Sequence, residues 1–149
     1  MDQKGFWSLI DAVNKEVSPE NTDGILKATQ EKLLQLPLRE IMDFHNQLTL
    51  YMDLADIPDL VAAATIINDG ISDDGFTDFR AWLVSRGRDV YANALKDADS
   101  LAELNVDPKA TEFELYGYIG AYAHSVKCLQ EKKDLQKLQD NPYFTLKDK

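Results

Sequence analysis

The chain has little of several things that small proteins use to hold themselves together or to do chemistry. A single cysteine, Cys128, in 149 residues allows no intramolecular disulfide, no CxxC redox pair and no cysteine-rich zinc site. That is the pattern of a reducing compartment. His45 and His124 are the only histidines, and neither is read with a second His or Cys at ligand spacing, so no metal and no cofactor is expected. The longest apolar run, Leu60 to Ile67, is far below the roughly 20 residues that span a bilayer. The opening MDQKGFWSLIDAVNKE has no uninterrupted apolar segment and no small-residue cleavage signal, so no secretory leader is read and a cytoplasmic location is expected. Also missing are a GxSxG elbow, a phosphate-cradling P-loop, a GxGxxG fingerprint, strand-like alternation and any long-period repeat.

Positive charge is scarce as well. Sixteen Lys and Arg face 26 Asp and Glu, for a net charge of −10. Residues 1–126 hold 22 carboxylates against 10 basic side chains, whereas residues 127–149 hold 4 against 6, so the acidity belongs to the body of the domain. Such a surface repels nucleic-acid backbones and anionic membranes and welcomes a cationic protein.

What the chain does have is apolar residues at helical spacing, in a length that suits one domain and a globular composition of 44% hydrophobic and 28% charged residues. Phe6, Leu9, Ile10 and Val13 predict a first helix over about 4–16, with Trp7 just off the stripe. After the SPENTDG loop, Thr22 or Asp23 is the candidate N-cap of a second helix with the stripe Ile25, Leu26, Thr29, Leu33 and Leu36. Pro37 divides it from a third helix over about 38–54, whose inward set is read as Leu38, Ile41, Met42, His45, Leu48 and Met52, with Phe44 and Tyr51 at the edges. A fourth, about 58–69, is apolar all round from Val61 to Ile67 and is read as the buried central element, with Gly70 as its left-handed stop. Ser72, Asp73 or Asp74 caps a fifth over about 75–86, and a sixth covers Arg88 to Leu95. DADSLAEL supplies a turn or two capped by Asp99 or Ser100. A last long helix starts near Thr111, with Gly117 and Gly120 placed for tight contact with the central helix, and becomes charged beyond Cys128. The fold class is all-α: a compact single-domain bundle of about six to eight helices with a buried central helix, over 1–140. A tail, 141–149, follows, and its Tyr143, Phe144 and Leu146 are candidates to dock.

Three of the four arginines, Arg80, Arg86 and Arg88, fall within nine residues just after the acidic turn Asp69, Ser72, Asp73, Asp74. Two readings stay open. In one, guanidinium forks hold a carboxylate or phosphate and Asp73 or Asp74 serves as base or metal ligand, giving the candidate set Asp73, Asp74, Phe76, Arg80, Trp82, Arg86 and Arg88. In the other, which the commonness of acidic helix starts favours, Asp73 or Asp74 caps the fifth helix and pairs with Arg80 or Arg86. The turn lacks the oxygen spacing of an EF-hand. Trp82 and Arg86 are spaced to stack, and Cys128, read without a neighbouring His, is not a candidate nucleophile.

Phe6, Trp7, Ile10 and Asp11, then Ala62 to Ile67, Gly70, Ser72 to Phe76, Phe79 to Leu83 and Gly87-Arg88, resemble the shared pattern of a bacterial domain-of-unknown-function family, DUF4240. The pattern is an FW-x-x-I-D start and a central AA-x-x-I-x-x-G-x-SDDGF-x-x-FR-x-WL block. The resemblance is specific over about 60–95 and fits in layout to about Ala123. Where the family usually has a bulky residue before the Ala run, this chain has Leu60-Val61. The resemblance implies a small helical bacterial protein and supplies no catalytic residue.

Two functions of different class are expected to compete. The first is an acidic protein-binding domain without catalytic activity, such as an immunity or antitoxin-like inhibitor of a basic toxin. The second is a small-ligand binder or enzyme built on an Asp/Arg site at the SDDGF-x-x-FR turn.

Overall fold

Phe6 and Trp7, adjacent in sequence, join three helices through one aromatic cluster in the computed structural model, which describes residues 1–139. The helices are α1 (Gln3–Glu16), α2 (Thr22–Leu33), α3 (Leu38–Leu54), α4 (Pro58–Asn68), α5 (Asp73–Ser85), α6 (Arg88–Lys96), α7 (Glu114–Gly117) and α8 (Ile119–Gln139). Two 3-10 segments, Ala98–Glu103 and Pro108–Thr111, lie between α6 and α7. No strand occurs among the described residues, and the fold is all-α. Phe6 packs on Phe44 and Tyr51 of α3, and Trp7 packs on Tyr51 and on Tyr91 of α6, with ring centroids 4.9–5.4 Å apart. The Tyr91 hydroxyl donates to the Tyr51 carbonyl at 2.7 Å, so this end of α3 is tied by both packing and a hydrogen bond.

Three helices begin with one device. Asp2, Asn21 and Ser72 each accept a hydrogen bond from the amide of a glycine three residues on, Gly5, Gly24 and Gly75, at 2.7, 2.9 and 3.0 Å. The cap of α2 is therefore Asn21, not Thr22 or Asp23. Asp97 caps the 3-10 segment after α6, in place of Asp99 or Ser100. Lys127 closes the other end of α2 by donating to the carbonyls of Leu34 and Leu36, a cation where the helix dipole favours one.

The central helix is α5 and not α4. Five successive residues of α5, Ala81 to Ser85, are buried together with Phe76 and Phe79, which requires neighbours on every side. Helix α4 buries only Leu60 and Ala64, and its Ile66 is 82% exposed, so the all-apolar segment is a surface helix. Its left-handed residue is Asp69 (φ 53°), with Gly70 one position later donating to the Thr65 carbonyl. On α3 the inward residues are Ile41, Phe44, Leu48 and Tyr51, while Leu38, Met42, His45 and Met52 are half-buried.

The C-terminal region is three pieces instead of one helix from Thr111: a 3-10 turn, the single turn α7, then α8. Gly117 meets Met52 of α3 and Ala81 of α5, and Gly120 lies directly on His45 of α3; neither touches α4. Burial on α8 ends at Ala123, and residues 128–137 are exposed. The docking candidates Tyr143, Phe144 and Leu146 lie outside the described residues.

A Cβ at Gly120 would stand 2.8 Å from the His45 Cβ and 3.0 Å from its Cα, too close to be relieved by a side-chain rotation. Gly120→Ala should cost about 1–3 kcal/mol in urea unfolding, because α8 must move off α3. Gly117→Ala, whose nearest neighbours would be at 3.7–3.9 Å, should leave stability within about 1 kcal/mol of the parent.

Candidate functional site

Arg80 of α5 and Arg86, the residue that caps its C-terminal end, are six positions apart, and at 3.6 residues per turn they leave the helix on different faces. The cluster that is compact in sequence is consequently divided in space. Asp74 and Arg80 line one cleft, Trp82 and Arg86 a second, and Arg88 a third. Asp73 is exposed on the first turn of α5, and Phe76 is buried beneath it.

The pairing expected of the turn does not form. Ser72 is the cap, and no Asp or Glu pairs with Arg80 or Arg86 among the described residues. Arg80 instead donates to the Met52 carbonyl at 2.9 Å and to Thr77 Oγ1 at 3.3 Å, with its guanidinium carbon 4.9 Å from the Phe76 ring centroid. A neutral carbonyl and an aromatic face thus hold the charge. Arg86 donates to Asn14 Oδ1 at 3.1 Å and to Ser85 Oγ at 3.5 Å. Trp82 packs against Phe79 at 5.3 Å, and among the described residues the cation–π contact is Arg80 over Phe76, not Arg86 over Trp82.

The first cleft, of about 550 Å³, opens between α3, α5 and α7. Asp53, Asp74, Asp78 and Glu114 stand around it, and Tyr118 forms an exposed aromatic rim. His45 and Arg80 line its inner side, where His45 Nδ1 and Arg80 Nε are closed off from solvent without a hydrogen-bond partner among the described residues. Partial burial pushes the Asp78 carboxyl above its ordinary pKa, and Glu114, Asp74 and Glu112 push it further the same way.

The second cleft, of about 410 Å³, lies between α1, α5, α6 and the 104–107 loop, and its walls are mainly apolar. Burial lowers the Arg86 pKa there. Beside the third cleft, Gly87 (φ +100°) lets the chain enter α6, and a Cβ on it would stand 2.9 Å from Asp11 Oδ1. The N-terminal FW-x-x-I-D segment and the central GR thus meet through Asp11 and Gly87. On α8, Cys128 Sγ lies 3.7 Å from His124 Nδ1, so the cysteine does have a histidine neighbour, one helical turn away. No group of three or more His, Cys, Asp or Glu suited to a metal occurs among the described residues, nor any helix long and apolar enough to cross a membrane.

A family model described as a protein of unknown function, DUF4240, matches residues 1–125. The chain belongs to the DUF4240 family. No curated protein and no solved structure matches it. The DUF4240 match takes in all three clefts and stops two residues beyond the last buried residue of α8, Ala123.

Ser72→Ala should destabilise the domain by about 1 kcal/mol, more than Asp73→Ala, which loses only a charge–dipole term of about 0.3–1 kcal/mol. Paired thermal melts measure the difference. Asp78 binds its proton more tightly folded than unfolded, so the stability linked to that proton is fully present below about pH 3.8 and is lost as pH rises through the raised folded-state pKa. Asp78→Asn should therefore raise Tm at pH 7, and the gain should vanish on acidification below pH 3.8.

Proposed function

We propose that this chain is an acidic protein-binding domain that holds a cationic partner, with the cleft between α3, α5 and α7 receiving a lysine or arginine of that partner. One observation carries the reading. Carboxylates from three separate elements, Asp53, Asp74, Asp78 and Glu114, converge on an open cleft, and none of them is committed to an ion pair among the described residues. The arginine within the cleft is occupied by a carbonyl and an aromatic ring. Tyr118, 61% exposed at the rim, offers a face to a second cation or an apolar contact. The concrete form we favour is an immunity or antitoxin-like inhibitor of a basic toxin in a bacterial cytoplasm, acting by occlusion and without catalysis. The net charge of −10 supports it by steering basic proteins toward the surface and nucleic acid and anionic membranes away. An enzyme or ligand site with Asp73, Asp74, Arg80 and Arg86 around one pocket is less well supported, since Arg80 and Arg86 open into different clefts.

A partner captured from the native host should be basic, and its association rate should fall steeply as salt rises from about 50 to 500 mM, where the Debye length shrinks about threefold. Asp53→Lys with Glu114→Lys, both exposed positions, should slow association about tenfold or more with a smaller change in dissociation. An acidic partner, or association indifferent to salt, would overturn the reading.

A further inference from the structure

The Arg86 guanidinium is the cation whose setting the acidic-surface reading does not explain. It is half-buried in a body carrying 22 carboxylates, and among the described residues none pairs with it. Removing a charge from water without a close counter-charge is unfavourable, and Glu20, which acts on Arg86 electrostatically, forms no ion pair with it, so this cation in a largely apolar cleft is an arrangement that a ligand completes. Two of its five N–H groups are used, by Asn14 and Ser85, and both acceptors are neutral. The Nη1 pair has no acceptor among the described residues. Around it stand Trp82, Val90, Leu104, Val106 and Pro19, in a cleft of about 410 Å³, within the size range of small-molecule sites. Loss of hydration lowers the Arg86 pKa, which marks the same desolvation.

We infer that the cleft between α1, α5, α6 and the 104–107 loop binds an organic monocarboxylate with a compact apolar body, its carboxylate held by the free edge of Arg86 and its body against Trp82, Val90 and Val106. A planar fork of N–H donors matches a carboxylate in two parallel hydrogen bonds. The apolar wall accounts for the body of the ligand, and it disfavours inorganic phosphate, which would leave that wall uncovered. Charge at the rim points to a monoanion: Glu20 and Asp107 line the same cleft and would repel a second negative charge. The site shares no lining residue with the acidic cleft, so the two can succeed or fail separately.

The test is a titration of the full chain followed by amide, indole and guanidinium NMR signals. Phenylacetate is the probe for a free acid, N-acetyl-glycyl-phenylalanine the probe for the same carboxylate at a peptide terminus, and phenylacetamide and inorganic phosphate are the controls. Phenylacetate or the peptide should shift the Trp82 indole and Arg86 Nε signals saturably with a Kd in the millimolar range, as suits so small a ligand. Phenylacetamide and phosphate should bind at least about tenfold more weakly. The tighter of the two carboxylates identifies the source. Leu104→Glu, at a position 40% exposed on the lip, sets a carboxylate at the mouth without disturbing the core and should abolish the shifts at unchanged Tm. Glu20→Gln, also exposed, should tighten binding several-fold. Equal binding of phenylacetamide, no saturation with either carboxylate by about 20 mM, or full retention of binding in Leu104→Glu would each overturn the inference.

Discussion

The enclosure of α5 is the constraint from which the arrangement of charge in this protein follows. Five consecutive residues sweep all the way round a helix, so burying Ala81 to Ser85 without a break requires other elements on every side. Burial of Phe79, Trp82 and Leu83 is worth about 1.5–3 kcal/mol each, enough to bring those elements in. The contacts show how close they come. Ala81 lies against Gly117 of α7, and Asn14 of α1 donates to the Ser85 carbonyl at 3.0 Å, satisfying the end of α5 from outside. A guanidinium on such a helix cannot stay in the middle. Arg80 leaves toward α3 and Arg86 toward α1, and each is held by neutral acceptors because the surrounding core offers carbonyls, an amide, a hydroxyl and a ring in place of carboxylates.

Much of the fold could be read from hydrophobic spacing, and the parts that could not have physical reasons. The first helix and the all-α class follow from period alone, since any stripe at i, i+3, i+4, i+7 must be covered. Which helix lies in the middle does not follow. VAAATII has the apolar composition of a buried segment, yet alanines and a threonine offer little area to bury, and α4 covers only Leu60 and Ala64. DDGFTDFRAWLVS carries four charges and looks amphipathic, yet its two phenylalanines, Trp82, Leu83 and Val84 attract the neighbours. Large side chains outweigh average hydropathy in choosing the centre. Helix α3 shows a different ambiguity. It is covered from two directions, by the aromatic cluster on one side and by Gly117 and Gly120 on another, so two overlapping stripes exist, and spacing alone favoured the one that shares Ile41 and Leu48 with the buried set and leaves Phe44 and Tyr51 at its edges.

The candidate site was legible as a list of residues and illegible as a constellation. Arg80, Arg86 and Arg88 are neighbours only along the chain; the helical period separates Arg80 from Arg86, the turn at Gly87 carries Arg88 onto α6, and the three reach different clefts. A signal was available in that period and in the recurring cap with glycine three residues on, which marks Asn21 and Ser72 as helix starts more sharply than the run of acidic residues did. Asp53, Glu114 and Asn14 could not have been found in this way. They lie on α3, α7 and α1 and reach the clefts only through packing.

The two principal clefts break the rules of self-sufficient folding in opposite senses. In one, partial burial, with Glu114, Asp74 and Glu112 adding to it, makes Asp78 hold its proton more tightly than a free aspartate, so the domain is destabilised at neutral pH by that ionised group. In the other, a guanidinium sits half-buried with no carboxylate at ion-pair distance among the described residues, Glu20 acting on it only from farther off. Neither cleft is neutralised by an ion pair among the described residues, and departures from local consistency concentrate where a protein interacts with something else. From these departures follow the two proposed occupants: a cation for the cleft between α3, α5 and α7 and a carboxylate for the cleft beside Arg86.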